Sequence, residues 1–213
     1  MVADRTLLCL FGGSFDPVHL GHIAMMRYLL HAHEALELIV IPAAQSPLKQ
    51  TSTSFQNRLS MLELALESLP HTRIDTREGT RPSPSYTIDT LQEYRQEYPQ
   101  QRLAWVMGDD AIEHLPHWKS WSLFPNLVHA LILKRSGINT PLPGFQQAQS
   151  ISELLQKDAG LFLELSNPFF DCASSTLRAW LAARDPRARA FLSDAVYTYM
   201  LDHHLYQGVS YPL

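Results

Sequence analysis

A strand that runs through a glycine-rich turn straight into a helix constrains this chain more than any other feature. The apolar run Leu7-Leu8-Cys9-Leu10-Phe11 predicts a buried strand, and Ile23-Ala24-Met25-Met26-Arg27-Tyr28-Leu29-Leu30 predicts a helix. Between them lies Gly12-Gly13-Ser14-Phe15-Asp16-Pro17-Val18-His19-Leu20-Gly21-His22. Loops of this kind are where open parallel α/β sheets bind their ligands. Gly12 and Gly13 would let the backbone bend sharply and come close to a ligand. The helix start supplies N–H groups and a positive dipole end, both suited to phosphate. His19 and His22 are three residues apart at that start, so both rings can face one anion.

The same alternation continues along the chain. The pattern predicts a strand over Thr6 to Phe11, a helix over Leu20 to His33 and a strand over Leu36 to Pro42. A right-handed βαβ unit and a parallel sheet follow. The polar loop Ala43 to Thr53 carries Lys49, and Thr53 with Gln56 fits a capping box. The helix opened there should reach about Ser68, with Leu59, Leu62, Leu66 and Leu69 on one side. Next come a short strand from Thr72 to Thr76, a turn-rich loop from Arg77 to Ser85 and a helix from Tyr86 to Tyr98. A strand over Arg102 to Met107 leads into Gly108-Asp109-Asp110 and short helical turns bearing Trp118 and Trp121. A strand from Leu127 to Leu133 ends at Lys134-Arg135; a long loop over 136–149 and a last strand from Leu161 to Leu165 follow. Two helices, about Ser174 to Arg184 and Arg187 to His204, close the chain. The fold expected is a Rossmann-like, doubly wound parallel α/β sheet with helices on both faces. It forms one domain over 1–213 with a helical C-terminus from about 166.

With 213 residues, 46% of them hydrophobic, one sizeable core can form. A net charge of −4 gives no support for nucleic-acid binding. Two cysteines, Cys9 and Cys172, fit reduced thiols in the cytoplasm better than a disulfide framework. No apolar run reaches membrane-spanning length, and the N-terminal residues lack a signal-peptide layout.

A second stretch, Cys172-Ala173-Ser174-Ser175-Thr176-Leu177-Arg178, places hydroxyls at a helix start and an arginine one turn further on. Alone, such hydroxyls read as helix caps. Together with Gly13-Ser14-Phe15-Asp16-Pro17 and His19-Leu20-Gly21-His22, the stretch resembles the two signatures of the nucleotidyltransferase superfamily with the His-x-Gly-His motif. Relative to the usual Ile-Ser-Ser-Thr-x-Ile-Arg, this chain has Cys172-Ala173, Ser175 and Leu177. The resemblance implies that His19, His22 and Arg178 act on the ATP triphosphate. Gly12, Gly13, Ser14, Phe15, Ser174 and Ser175 would line its phosphates. Lys49, in Ser46-Pro47-Leu48-Lys49, and Arg135 would assist on the ATP side. Arg58, on the second helix, reaches either nucleotide phosphate or solvent.

Pro84-Ser85-Tyr86-Thr87-Ile88-Asp89-Thr90-Leu91, Met107-Gly108-Asp109-Asp110 and Leu115-Pro116-His117-Trp118 narrow the resemblance to the nicotinate-mononucleotide adenylyltransferase branch. That implies Trp118 stacking on the pyridine ring, with main-chain N–H groups of Thr87 and Lys119 taking the nicotinate carboxylate. Tyr86, Gly108 and Asp109 complete the acceptor side, with Asp109 facing ribose hydroxyls or capping the segment after it. ATP and nicotinate mononucleotide are then the substrates, with Mg²⁺ accompanying ATP and no protein-held metal. A zinc site at His19 and His22 lacks a nearby third ligand. Two other readings remain open here. One is a sister enzyme such as a pantetheine-phosphate adenylyltransferase or a cytidylyltransferase, against which Tyr86-Thr87 with Trp118 stands. The other is a nucleotide-binding module without turnover, against which His19, His22 and Arg178 together stand. Oligomeric state is open.

Overall fold

Along β1 (Leu7–Gly13), Leu7, Cys9 and Phe11 join the apolar core on one side, and Leu8 and Leu10 join the core on the other. A strand buried on both faces must sit inside a sheet covered by helices on both sides. The computed structural model, which describes residues 6–45, 52–82, 84–134, 141–166 and 172–207, has that architecture. After β1 come α1 (Leu20–Ala32), β2 (Leu36–Pro42), α2 (Phe55–Leu66), β3 (Thr72–Ile74), α3 (Arg77–Thr80) and α4 (Thr87–Glu97). Then β4 (Arg102–Gly108) leads through short 3-10 turns to β5 (His129–Lys134) and β6 (Gln146–Gln147). The chain continues with α5 (Ile151–Leu154), β7 (Leu161–Ser166), α6 (Ser174–Ala182), a 3-10 segment over Pro186–Phe191 and α7 (Asp194–Asp202).

The strands lie in the order β3-β2-β1-β4-β5-β7-β6, and every pairing is parallel. The chain winds outward from β1 to one side and then restarts at β4 to wind the other way. The neighbours β1 and β4 therefore form the topological switch point, where such sheets bind ligands. The register shows the crevice directly. Pairing between β1 and β4 ends at Phe11 with Val106, although both strands continue for two more residues. Beyond that point β1 follows β2, to Gly13 with Pro42, and β4 follows β5, to Gly108 with Leu133. The two strands thus diverge at their carboxyl ends. In a parallel sheet each connecting helix starts at that same edge, so the N-termini of α1, α4 and α6 all face it.

The core on one side joins β1, α1 and α2 to Leu177, Ala188, Leu192, Val196, Met200 and Tyr206 of the C-terminal part. The other side joins Leu8, Leu10, Trp105 and Met107 to Ile88, Leu91 and Tyr94 of α4. Cys9 and Cys172 are buried free thiols, and burial pushes the Cys9 thiol up to about 12.

Several local expectations are corrected. The cap of α2 is Ser54, whose Oγ accepts the amide of Asn57; Thr53 Oγ1 instead accepts from Asn57 Nδ2, so no Thr53–Gln56 box forms. The turn-rich loop from Arg77 contains α3, because Asp75 Oδ1 accepts the Arg77 amide and starts a helical turn. The Asp75 carboxylate also binds Arg77 Nε at 2.7 Å and Tyr94 OH at 2.5 Å, tying α3 to α4. Within the expected loop over 136–149 lies β6, and α5 follows it, capped by Ser150. The expected last helix is two pieces, since Ser193 Oγ accepts the Val196 amide and opens α7 separately.

His129 is fully buried at the start of β5. Its Nδ1 accepts the Leu161 amide, so its Nε2 carries the proton and donates to the Lys157 carbonyl at 3.1 Å. Burial lowers its pKa below the usual 6.5. The unfolded chain therefore takes up the proton first as pH falls. His129 contributes its full share of stability above about pH 6.5 and loses it below, down through the folded value. Denaturant unfolding of the wild type should show a lower midpoint at pH 5.5 than at pH 7.5, and His129→Gln should flatten that difference. An equally steep loss in the variant would rule out His129 as its source.

Candidate active site

The sharp bend after β1 lies at Phe15, whose φ is 48°, and not at the glycines, which are still strand. Gly12 is required by a close approach from the neighbouring strand: a Cβ there would lie 2.3 Å from Cη2 of Trp105. A Cβ on Gly13 would lie 2.9 Å from the ring of Phe15. That ring folds back over Gly13, is itself buried, and meets His22 edge-on at 5.2 Å. Packing against Trp105 and Phe15, ahead of any ligand contact, accounts for both glycines. Asp16 follows, joined to Pro17 by a cis peptide bond.

His19 is the N-cap of α1 and is only 4% exposed. Its Nδ1 accepts the Gly21 amide at 3.2 Å, while His22 Nδ1 accepts the His19 amide at 3.3 Å. The histidines thus form a reciprocal capping box of the kind usually built from hydroxyl and carboxylate side chains. Each Nδ1 is used as an acceptor, so it bears no proton, and the remaining nitrogen, Nε2, is the N–H donor of each neutral ring. The rings lie against each other with centroids 3.8 Å apart. Helix capping and presentation of two N–H donors at a helix N-terminus are achieved by one arrangement.

The start of α6 docks on the same loop. Arg178 Nη1 donates to the Asp16 carbonyl at 2.8 Å and lies 4.0 Å from its carboxylate; Ser174 Oγ donates to the Pro17 carbonyl at 3.3 Å. The N-cap of α6 is Ala173 with no side-chain cap, so Ser174 and Ser175 occupy the first turn and do not cap it. Ser175 is exposed.

Asp16, Ser52, Tyr206 and Arg58 hold this assembly. Asp16 is 2% exposed and accepts three short hydrogen bonds, each 2.6 Å: from Ser52 N, Ser52 Oγ and Tyr206 OH. Burial and the Asp16 charge push the Tyr206 phenol well above its ordinary value, so it stays a donor. Arg58 is 0% exposed. Its Nη1 donates to the carbonyls of Ser14 and Ala43, and its Nη2 to that of Ala44, all at 2.7 Å. Arg58 therefore faces neither solvent nor nucleotide; it fastens the β1–α1 loop to the end of β2. Only a mid-helix arginine among the apolar positions Met61, Leu62 and Ala65 could have hinted at this.

The residues expected on the acceptor side come from the end of β4, the turns after it and the start of α4. Gly108 ends β4 and precedes a 3-10 turn over Asp109–Ala111, which no side chain caps, so Asp109 is not a cap. Tyr86 is the N-cap of α4 and Thr87 its first residue, with no side-chain cap; the Asp89 amide donates to the Tyr86 carbonyl. Trp118 is half-buried and meets Phe124 edge-on at 6.2 Å. Lys119 is anchored to α4: its Nζ lies 3.3 Å from Asp89 Oδ1 and 4.4 Å from the centre of the Tyr86 ring. Trp105 and Trp180 pack as core and helix residues, the latter against Phe191. Lys49 and Arg135 lie outside the described residues.

The start of α1 and the start of α6 bring together N–H donors and a guanidinium, and among the described residues the carboxylate beside them, Asp16, is already taken by Ser52 and Tyr206. Among the described residues no group of three or more His, Cys, Asp or Glu is gathered to hold a metal. A Mg²⁺ ion held mainly by a ligand's phosphates and by water would need no such group.

Residues 10–180 match the cytidylyltransferase-like family model. A protein of Hahella chejuensis named "Probable nicotinate-nucleotide adenylyltransferase" is 35% identical over 97% of this chain and 99% of its own length. One of the same name from Stenotrophomonas maltophilia is 35% identical over 93% and 96%. Among solved structures, the nicotinic acid mononucleotide adenylyltransferase of Plasmodium falciparum, complexed with NaAD, superposes with a TM-score of 0.77. It covers 94% of this chain and 97% of its own at 17% identity, a likeness of fold.

Proposed function

The chain belongs to the nicotinate-nucleotide adenylyltransferases within the cytidylyltransferase-like family, and from that membership we infer its reaction and the division of labour in its site. It is a nucleotidyltransferase that moves the adenylyl group of ATP onto nicotinate mononucleotide, giving deamido-NAD and pyrophosphate in NAD biosynthesis. The 5′-phosphate oxygen of the mononucleotide attacks the α-phosphorus of ATP. The bond from that phosphorus to the bridging oxygen breaks, and pyrophosphate leaves with the electron pair. The attacking phosphate is already ionised, so no general base is needed and no covalent enzyme intermediate forms. Catalysis rests on positioning and on stabilising charge.

His19 and His22 donate Nε2–H to triphosphate oxygens, and Arg178 supplies fixed positive charge beside them. The first turns of α1 and α6, with Ser14, Ser175 and the main-chain amide of Ser174, supply further donors. Mg²⁺, carried in on ATP, adds charge neutralisation on the phosphates. On the acceptor side Trp118 stacks on the pyridine, and the amides of Thr87 and Lys119 take the nicotinate carboxylate. Tyr86, Gly108 and Asp109 border the ribose and ring. Lys49 and Arg135 complete the ATP side. The observation that supports this division of labour is the docking of Arg178 and Ser174 onto Asp16 and Pro17, beside the capped pair His19 and His22. A cytoplasmic location belongs to the same proposal, supported by the free thiols Cys9 and Cys172.

Pyrophosphate release with ATP and Mg²⁺ tests the reading when nicotinate mononucleotide, nicotinamide mononucleotide and phosphopantetheine are compared as acceptors. The acid mononucleotide should give the highest kcat/KM. Turnover with phosphopantetheine alone would overturn the acceptor assignment, and no turnover with any acceptor would overturn the enzyme.

A further inference from the structure

We propose that the Lys119–Asp89 pair sets the preference for an acid over an amide acceptor, with Lys119 masking a carboxylate that would otherwise repel the substrate. The proposal rests on placing the nicotinate carboxylate at the amides of Thr87 and Lys119.

Thr87 is the first residue of α4 and Asp89 the third, the one acidic residue of that first turn. A carboxylate in the first turn stabilises a helix through its dipole. Here it also occupies the helix end that must receive a substrate carboxylate, so two like charges compete for one positive end. A neutral carboxamide feels no such repulsion. Left alone, Asp89 would favour the amide.

Lys119 removes that bias. Its Nζ lies 3.3 and 3.4 Å from the two Asp89 oxygens and 4.4 Å from the Tyr86 ring centre, so the ammonium is held against α4 by a carboxylate and an aromatic face together. The residue whose main-chain N–H is assigned to the substrate thus carries the charge that cancels Asp89. Both side chains are about half exposed. Such a pair contributes little to stability. Its field still reaches a neighbouring anion a few ångströms away, where an uncancelled unit charge in a partly screened setting changes binding by about five-fold.

The test is a double-mutant cycle on the full chain, read as the ratio of kcat/KM for nicotinate mononucleotide to that for nicotinamide mononucleotide. Lys119→Ala should lower this ratio about five-fold. Asp89→Asn should raise or preserve it, and Asp89→Asn combined with Lys119→Ala should return it close to wild type. The loss in Lys119→Ala should shrink in high salt. A loosened loop would slow both acceptors alike and leave the ratio unmoved, which overturns the proposal. Failure of Asp89→Asn to rescue Lys119→Ala also overturns it, since Lys119 would then act on the substrate directly. Wild-type turnover with the acid mononucleotide, measured alongside, separates these failures from failure of the assigned reaction.

Discussion

Replacing His19 with alanine should reduce pyrophosphate release at saturating substrates by at least about 10²-fold, the usual loss for a positioned catalytic group. It should also cost about 1 kcal/mol of stability, because His19 is the N-cap of α1 and its Nδ1 satisfies the Gly21 amide. The two effects can be separated. Asparagine is among the best N-cap residues, and its side-chain oxygen can accept the same amide. It is too short to place a donor where Nε2 of the imidazole lies. His19→Asn should therefore keep the wild-type unfolding midpoint while losing turnover as fully as the alanine variant. Near-wild-type turnover in His19→Asn would show that capping is all His19 does. The partner residue behaves differently. His22 accepts the His19 amide from inside the helix and packs against Phe15, so losing it should loosen the entry to α1 as well as remove a donor.

The ability of the sequence to announce this pair has a physical basis. His19 and His22 lie within one turn, and a capping box is a local device, written in residues three apart. The strand, the turn and the helix around them are likewise local periodicities. The alternation of strands and helices by itself implies the sheet and its parallel sense. What could not be read depends on pairs far apart in the chain. Asp16 meets Ser52 across 36 residues and Tyr206 across 190, and no local spacing encodes either meeting. Gly12 looked like a hinge for ligand approach, yet the ring of Trp105 in another strand is what excludes a side chain there. Short elements were lost for a different reason: α3, β6 and α5 hold four residues or fewer and show no full period. The break before α7 was signalled by Ser193, but the apolar spacing on either side obscured it.

Arg58 is the plainest case of a nonlocal role, and it carries the largest expected effect on stability. Arg58→Met keeps most of the aliphatic volume and removes the guanidinium. The carbonyls of Ser14, Ala43 and Ala44, all on half-buried residues, then lose the donors that the buried guanidinium supplies. An unmet buried polar group costs about 1–3 kcal/mol; these three stand on half-buried residues, so together they set a loss of about 2–4 kcal/mol for the variant. The buried guanidinium has its own desolvation cost, which lowers its pKa, while the charge of Asp16 offsets part of it. Removing Arg58 recovers that cost, and for this reason the expected loss lies well below the sum of the individual maxima. Arg58→Lys discriminates further. One ammonium cannot span carbonyls that Nη1 and Nη2 reach separately, so lysine should restore charge without restoring all three bonds. Its unfolding midpoint should fall between methionine and wild type. Because these bonds join the β1–α1 loop to the end of β2, the surviving folded fraction of either variant should also show a raised KM for ATP. Denaturant unfolding that leaves Arg58→Met within about 0.5 kcal/mol of wild type, the range of an ordinary surface substitution, would show that the guanidinium does not hold these segments together. The β1–α1 loop would then be held by Asp16 with Ser52 and Tyr206, and by Arg178 and Ser174.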